Sequence, residues 1–128
     1  MNGNRIVLDE TVRRRLSEFA FRAYPCECCA ALFSSGDGTI EECCELSNKS
    51  ERLDRYAVDP AELYRCERAF AHRGYEIKGF FHSHPDASAE LSFEDEKNMI
   101  PSMLYLLASV TKDGDCRFRL WRKDLVED

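Results

Sequence analysis

Hydrophobic residues recur every three or four positions near the start of the chain, as on one face of an amphipathic helix. They are Val12, Leu16, Phe19, Ala20 and Ala23. Asp9 or Thr11 is suited to begin this helix as its N-cap, and Pro25 ends it because proline cannot continue the backbone hydrogen bonding. The pattern therefore predicts a first helix between residues 9 and 25, preceded by a short strand from Ile6 to Leu8.

A second helix, from about residue 59 to residue 73, is predicted by the signals at its ends. Asp59 suits the N-cap, Pro60 suits the first helical position, and Glu62 completes a pattern like that of a capping box. Gly74 is a natural stop. The buried face of this helix is predicted to consist of Leu63, Cys66 and Phe70.

Compact apolar runs between these helices have the length and composition of buried strands. The predicted strands are Cys28 to Phe33, Thr39 to Leu46, Tyr56 to Val58, Ile77 to Phe81, Leu104 to Val110, and Cys116 to Trp121 with Phe118 and Leu120 on one face. Asp113-Gly114 favours a tight hairpin turn between the last two, and a short helix is predicted over residues 92–99. The order of elements predicts an α+β fold, with a mixed β-sheet flanked by helices, in a single domain spanning residues 1–128.

Composition and charge narrow the class of protein. The chain has 128 residues, of which 44% are hydrophobic and 33% charged, as is typical of one globular domain. Its net charge of -6 disfavours a nucleic-acid partner, which would require a positive surface. The longest apolar run, Met103 to Val110, is too short to span a bilayer, and the first twenty residues lack the apolar core of a signal peptide. We therefore expect a cytoplasmic protein with no membrane partner.

Seven cysteines raise the question of a disulfide framework or a thiolate metal site. They are Cys26, Cys28, Cys29, Cys43, Cys44, Cys66 and Cys116. An odd number without an export signal favours reduced thiols. Cys26 and Cys29 have Cys-x-x-Cys spacing, but a structural zinc site would need a second pair of ligands. The adjacent residues Cys43 and Cys44 cannot supply it, because they do not present two side chains on one face of a strand. The favoured interpretation is that the cysteines are small buried hydrophobic residues.

Two of the three histidines, His82 and His84, follow a predicted strand and are spaced by two, so both imidazoles point to the same side. Such a pair can bind a metal ion, and a catalytic zinc site requires a third ligand nearby. The acidic candidates are Asp86, Glu90, Glu94 and Asp95. The structural alternatives are two polar residues at a strand end and, for Ser92 and Asp95, the N-cap box of a short helix.

A hydrolase would also need a general base, and Glu27 lies at the start of an otherwise apolar strand. A charged residue there must face either solvent or a partner. From the residues alone, an ordinary solvent-facing glutamate is the favoured interpretation.

The spacing of these candidate residues is similar to that of a known family. His82-Ser83-His84-Pro85, followed by Ser92 and Asp95, resembles the JAMM motif of the MPN+ metalloproteases. The segment from Tyr24 to Leu32 resembles the stretch around the catalytic glutamate of that family. The resemblance extends from about Ile6 to Trp121 and includes features of the compact bacterial branch.

The resemblance implies a fold and a set of residue roles. The fold would be the JAMM/MPN arrangement, similar to that of cytidine deaminases, with three α–β layers. His82, His84 and Asp95 match the ligands of one Zn2+ per chain. Glu27 matches the general base that activates the attacking water, and Ser92 matches the residue that helps to stabilise the tetrahedral oxyanion.

The resemblance also implies a substrate class. Family members hydrolyse amide or isopeptide bonds next to the C-terminal tail of ubiquitin-like proteins, and compact bacterial relatives act on sulfur-carrier proteins that end in Gly-Gly. We therefore expect a zinc-dependent metallopeptidase or isopeptidase with such a partner, whose tail an exposed strand edge could bind. The alternative is a non-catalytic MPN-type module that binds a ubiquitin-like protein. A third hypothesis is a cysteine-based redox or metal-storage protein, and the oligomeric state is left open.

Overall fold

A computed structural model of the protein describes residues 7–36, 38–48, 58–91, 93–97 and 99–122. In chain order the elements are β1 (Val7–Leu8), α1 (Glu10–Ala23), β2 (Cys29–Ser34), β3 (Thr39–Ile40), β4 (Glu42–Leu46), α2 (Pro60–Ala71), β5 (Glu76–Pro85), α3 (Phe93–Lys97), β6 (Leu104–Val110) and β7 (Cys116–Arg122). Asp9 caps α1 by accepting a hydrogen bond from the Thr11 backbone N–H, and Asp59 caps α2 through Ala61. Both helices begin where the sequence predicts.

Five strands form the main sheet in the order β4-β2-β5-β6-β7. The β5–β6 pair is parallel and the other three pairs are antiparallel. β1 and β3 form a separate two-stranded parallel pair. The prediction of an α+β fold with a mixed sheet flanked by helices is therefore confirmed.

The two main helices cover opposite faces of the sheet. Val12, Leu16 and Ala20 of α1 are buried in one cluster with Ala30 and Leu32 of β2 and with Cys28, which precedes that strand. Cys66 of α2 is buried in a second cluster with the alternate residues of β2, namely Cys29, Ala31 and Phe33. Successive side chains of a strand point to opposite faces, so the helices and sheet form three layers.

The run from Thr39 to Leu46 forms two strands rather than the predicted one. β3 pairs with β1, whereas β4 pairs with β2, and Glu41 lies between them. The Glu41 carboxylate accepts hydrogen bonds from the Ser35 backbone N–H at 2.7 Å and from its Oγ at 2.6 Å. The apolar residues of this run, Ile40, Cys43, Cys44 and Leu46, do not record the change of partner, because they are consistent with either pairing.

Two side chains differ from their predicted roles. The Glu62 carboxylate does not complete a capping box in α2, because it accepts hydrogen bonds from the Ser47 backbone N–H at 3.0 Å and from its Oγ at 3.1 Å. Leu120 is 40% exposed, although Phe118 on the same strand packs against the core. β7 is an edge strand of the sheet, where one face need not be fully covered.

β5 is longer than predicted and reaches the two histidines. It continues past Phe81 to Pro85 because the whole run pairs with β6 on one side, with His82 opposite Leu107 and His84 opposite Ser109. The close approach of β5 and β6 also explains why residue 79 is a glycine. A Cβ on Gly79 would lie 2.1 Å from the carbonyl oxygen of Leu104, so this position requires the absence of a side chain.

Some predicted features lie outside the described residues, among them Ile6, Ser92 and the first two residues of the predicted strand from Tyr56 to Val58. Val58 is described and is not in a strand. In the part of the chain that the structure describes, none of the helices is both long and apolar enough to cross a membrane.

Candidate metal centre

β5 presents two imidazoles from one face of the sheet. His82 is 2% exposed and His84 is 9% exposed. Because they are two residues apart on a strand, both rings project from the same side, and their Nε2 atoms are 3.1 Å apart. The predicted orientation of the pair is therefore confirmed, and two nitrogen donors face one small region of space.

α3 brings a carboxylate to the same region. Asp95 Oδ1 lies 3.4 Å from His82 Nε2, and Asp95 Oδ2 lies 3.2 Å from His84 Nε2. The candidate ligand atoms of these three residues all lie within 4.8 Å of one another. Within the described residues, they are the one group of three or more His, Cys, Asp or Glu side chains that is arranged to hold a metal ion.

Asp86 and Glu90, two of the other acidic candidates for a third ligand, make contacts elsewhere. Asp86 accepts a hydrogen bond from the hydroxyl of Tyr24 at 2.5 Å. Glu90 forms an ion pair with Arg119. The side chain of Glu94 lies outside what the structure describes. Among the candidates whose side chains the structure describes, the geometry therefore selects Asp95, which sequence spacing alone left as one of four.

The hydrogen bond of His84 fixes which of its nitrogens can bind a metal. Its Nδ1 lies 2.8 Å from the backbone oxygen of Ser88. A carbonyl oxygen can only accept, so Nδ1 carries a hydrogen, and Nε2, which faces His82 and Asp95, is the nitrogen that can bind a metal when the ring is neutral. A metal-ligating histidine is commonly oriented in this way by a carbonyl or carboxylate behind it.

The two histidines differ in their electrostatic surroundings. Burial lowers the pKa of His82 below its usual value, and the neighbouring Asp95 only partly opposes this. Burial also acts to lower the pKa of His84, but hydrogen bonds to Asp95 and Ser88 and the charges of Asp95 and Glu27 outweigh it, so the pKa of His84 is raised. The surroundings thus favour a neutral His82, and neutral imidazole is the form that binds metal.

Glu27 is buried at 8% exposure, so the solvent-facing interpretation favoured by the residues alone is wrong. The segment that carries it is bonded to β5, since Cys28 N–H donates to Ser83 Oγ at 3.0 Å and Ser83 N–H donates to Cys28 O at 3.1 Å. Continuing the antiparallel register of Cys29 opposite His82 by two residues places Glu27 opposite His84. A buried carboxylate therefore lies beside the histidine pair.

A cavity of about 330 Å³ opens next to Glu27, at the ends of β2 and β4. It is lined by Ala23, Glu27, Cys28, Glu45, Leu46, Ser47 and Asn48. The side-chain amide of Asn48 donates a hydrogen bond to the backbone oxygen of Glu27 at 2.7 Å. The cavity therefore lies beside the segment that carries Glu27.

Ser92 lies outside the described residues, so its predicted role at an oxyanion remains a prediction. Conversely, the sequence pattern assigns no role to Ser83, which is fully buried and holds the Glu27 segment through its hydroxyl. Its position between the two histidines is visible in the sequence. Its partner is not, because Cys28 is 55 residues away along the chain.

The cysteines are free thiols, and most of them are buried. Burial raises the pKa of Cys28 to about 11, that of Cys29 to about 12 and that of Cys43 to about 11, so these thiols stay protonated near neutral pH. Cys26 is exposed, whereas Cys29, with which it forms the Cys-x-x-Cys pattern, is buried in the core. This arrangement favours the interpretation of the buried cysteines as small hydrophobic residues.

Two proteins from other organisms are similar to this chain over most of its length. The desampylase of Haloferax volcanii is 31% identical over 103 residues, which are 78% of this chain and 73% of that protein. The solution structure of a protein from Desulfitobacterium hafniense is 28% identical, with a TM-score of 0.78 over 93% of this chain and 86% of that chain.

The fold is also shared with a more distant protein of assigned domain type. The crystal structure of a JAB1/MPN domain protein from Archaeoglobus fulgidus has a TM-score of 0.66 at 19% identity, over 93% of this chain and 91% of that chain. The family described as prokaryotic homologs of the JAB domain matches residues 9–123, which include both histidines, Asp95 and Glu27. The chain therefore belongs to the prokaryotic JAB family.

Proposed function

We propose that the protein is a zinc-dependent metallopeptidase or isopeptidase that hydrolyses the amide bond after the C-terminal Gly-Gly tail of a ubiquitin-like or sulfur-carrier protein. The observation that carries the proposal is the convergence of His82 Nε2, His84 Nε2 and the Asp95 carboxylate. Membership of the prokaryotic JAB family and similarity to a desampylase support a hydrolase of this type.

The donor set fits a catalytic zinc ion. Two imidazole nitrogens and one carboxylate are three ligands of the type that catalytic zinc sites use, with a fourth position left for water or substrate. The Nδ1 hydrogen bond of His84 to Ser88 supplies the orienting contact that such ligands need. Zinc held there would polarise the scissile carbonyl and lower the pKa of a water molecule to about 7.

Glu27 is the proposed general base and then general acid. Its carboxylate takes one proton from the attacking water as the new C–O bond forms. It delivers that proton to the leaving nitrogen as the C–N bond breaks, so that the amine leaves neutral and Glu27 is ionised again. The buried position of Glu27 opposite His84 supports this role.

Ser92 is proposed to donate a hydrogen bond to the oxyanion that develops on the scissile carbonyl. A hydroxyl aimed at developing negative charge in this way is worth about 3 kcal/mol. This assignment rests on the match of Ser92 to the family motif.

The substrate tail is proposed to enter along β4. Among the described strands, β4 is at the edge of the main sheet, and its last residue, Leu46, lines the cavity beside Glu27. A peptide can add to such an edge through main-chain hydrogen bonds. A narrow channel would suit an extended Gly-Gly tail, because any side chain in it would clash.

Cleavage of a defined tail tests the proposal. The substrate is a sulfur-carrier protein whose Gly-Gly terminus is extended by one residue, and mass spectrometry detects loss of that residue. We expect zinc-loaded protein to remove it and Glu27→Gln to be slower by about 10³-fold, the scale of a lost general base. Glu27→Gln should retain its zinc because Glu27 is not one of the three ligands.

Glu67→Gln is the matched control, because it makes the same chemical change on the exposed side of α2. It should cleave at the wild-type rate. The proposal is wrong if Glu27→Gln cleaves as fast as wild type, or if zinc-loaded wild type binds the tail without cleaving it. The latter result would identify the protein as the alternative, a non-catalytic module that binds a ubiquitin-like protein.

A further inference from the structure

α3 is too short to hold its own position. It has five residues, whereas isolated helices shorter than about 12 residues are marginal in water. Yet it carries Asp95, the one member of the candidate metal cluster that does not come from β5. The position of this carboxylate must therefore be fixed by contacts that the rest of the fold makes on either side of α3.

On the side that precedes α3, the contact comes from β7. The indole Nε1–H of Trp121 donates a hydrogen bond to the backbone oxygen of Ala89 at 3.1 Å. The Arg119 guanidinium lies over the Trp121 ring, 4.4 Å from its centroid, and also pairs with Glu90. Residues 89 and 90 are thus tied to one edge of the sheet.

On the side that follows α3, the contact comes from β6. The backbone N–H of Ile100 donates a hydrogen bond to the hydroxyl oxygen of Tyr105 at 2.7 Å. Tyr105 is itself fixed, since it is 7% exposed and its ring centroid lies 6.0 Å from that of Phe80. This phenol therefore holds the chain where it leaves α3.

The two residues that hold the ends of the α3 segment, Tyr105 and Trp121, are paired with each other across neighbouring strands. Tyr105 on β6 is the register partner of Trp121 on β7, and Tyr105 is also opposite Phe80 on β5. Residues that pair across strands share a face, and Phe80 shares its face with His82 two residues later. Both anchors therefore rise from the same face of the sheet as the imidazoles.

We propose that Tyr105 and Trp121 are positioning residues of the metal centre, which hold both ends of the α3 segment so that Asp95 meets His82 and His84. The inference rests on the proposed metal site and adds to it the means by which the third ligand is positioned. The described hydrogen bonds of Tyr105 and Trp121 go to Ile100 and Ala89, so the proposed effect of both residues on the metal passes through Asp95.

Two conservative substitutions isolate the hydrogen bonds. Tyr105→Phe removes the acceptor for Ile100, and Trp121→Phe removes the donor to Ala89, while each keeps an aromatic ring in place. The readouts are Zn2+ affinity, by competition with a chelator, and the visible absorption of the Co2+-loaded protein, which reports the coordination of the metal. Tyr64→Phe on exposed α2 is the matched control, and Asp95→Ala shows the effect of losing the ligand itself.

We expect each variant to bind Zn2+ about 10-fold more weakly, the scale seen for residues that orient metal ligands. The double variant should lose more Zn2+ affinity than either single variant, and its Co2+ spectrum should approach that of Asp95→Ala. Tyr64→Phe should match wild type in both measurements. If a variant is also less stable, hydrogen–deuterium exchange distinguishes a local loosening of α3 from a general loss of stability. Faster exchange in α3 with unchanged exchange in α2 supports the inference, and faster exchange throughout contradicts it.

Different results would contradict the positioning role and the proposed function. If wild type binds zinc through His84 and Asp95, and the Tyr105 and Trp121 variants keep its affinity and spectrum, the positioning role is wrong and the proposed function stands. If wild type binds no zinc, or binds it equally in Asp95→Ala, both the proposed function and this inference are wrong.

Discussion

His82 and His84 show how much of the site follows from single residues. Their spacing on a strand is enough to predict that both imidazoles face one way. Their different pKa shifts are not predictable from sequence, because they depend on the depth of burial and on Asp95, Ser88 and Glu27. The same is true of Glu27, because glutamate is usually exposed but this one is buried in the fold.

Ser83 allows a prediction at the scale of one hydroxyl. Ser83→Ala leaves the buried N–H of Cys28 without its acceptor, which should lower the free energy of unfolding by about 2 kcal/mol. Urea denaturation measures this change. Ser17→Ala is the control, because the Ser17 hydroxyl bonds at an exposed site on α1 and its loss should cost no more than about 0.5 kcal/mol. Equal effects of the two substitutions would contradict the role given to Ser83.

The cysteines allow a prediction about pH. A thiol with a pKa of about 11, as at Cys28 and Cys43, is ionised in about one molecule in a thousand at pH 8, and only the thiolate reacts. Alkylation of the folded protein at pH 8, followed by peptide mass spectrometry, should therefore modify exposed Cys26 and leave Cys28, Cys29 and Cys43 intact. Rapid modification of these buried thiols in the folded protein would contradict the packing described.

At the scale of elements, the helix ends and most strands are predictable because their signals are local. Asp59 and Pro60 begin α2, and Asp9 begins α1, where the sequence indicates. The division between β3 and β4, the length of β5 and the bond between Glu62 and Ser47 could not be predicted, because each depends on a partner distant in sequence. The anchors of α3 belong to the same group.

The close approach of β5 and β6 provides a test of the described sheet. Gly79→Ala would place a Cβ 2.1 Å from the Leu104 carbonyl oxygen, and a backbone atom cannot easily move aside. We expect a loss of about 3 kcal/mol in the free energy of unfolding, as for other overpacked sites. Gly36→Ala is the matched control, because a Cβ there meets nothing within 4 Å. If the two variants unfold at the same urea concentration, the β5–β6 register is wrong.

At the scale of the whole molecule, the site depends on the order of the strands. β2 and β6 flank β5, so Glu27 approaches the histidines from one side and the segment that carries Asp95 is anchored on the other. The order of elements in the sequence predicts a mixed sheet but does not fix which strands are neighbours. The resemblance of the motif to the JAMM pattern supplied the residue set, and the fold explains why residues from three separate segments meet.

Zinc per chain in wild type and in His84→Ala, measured under reducing conditions by elemental analysis, tests the central claim most directly. The site described predicts about one zinc per wild-type chain and almost none in His84→Ala, because three protein ligands are needed and one is removed. Cys26→Ser should keep its zinc. If His84→Ala retains the metal and the cysteine variant loses it, thiolates hold the zinc, and the His82, His84 and Asp95 centre is contradicted.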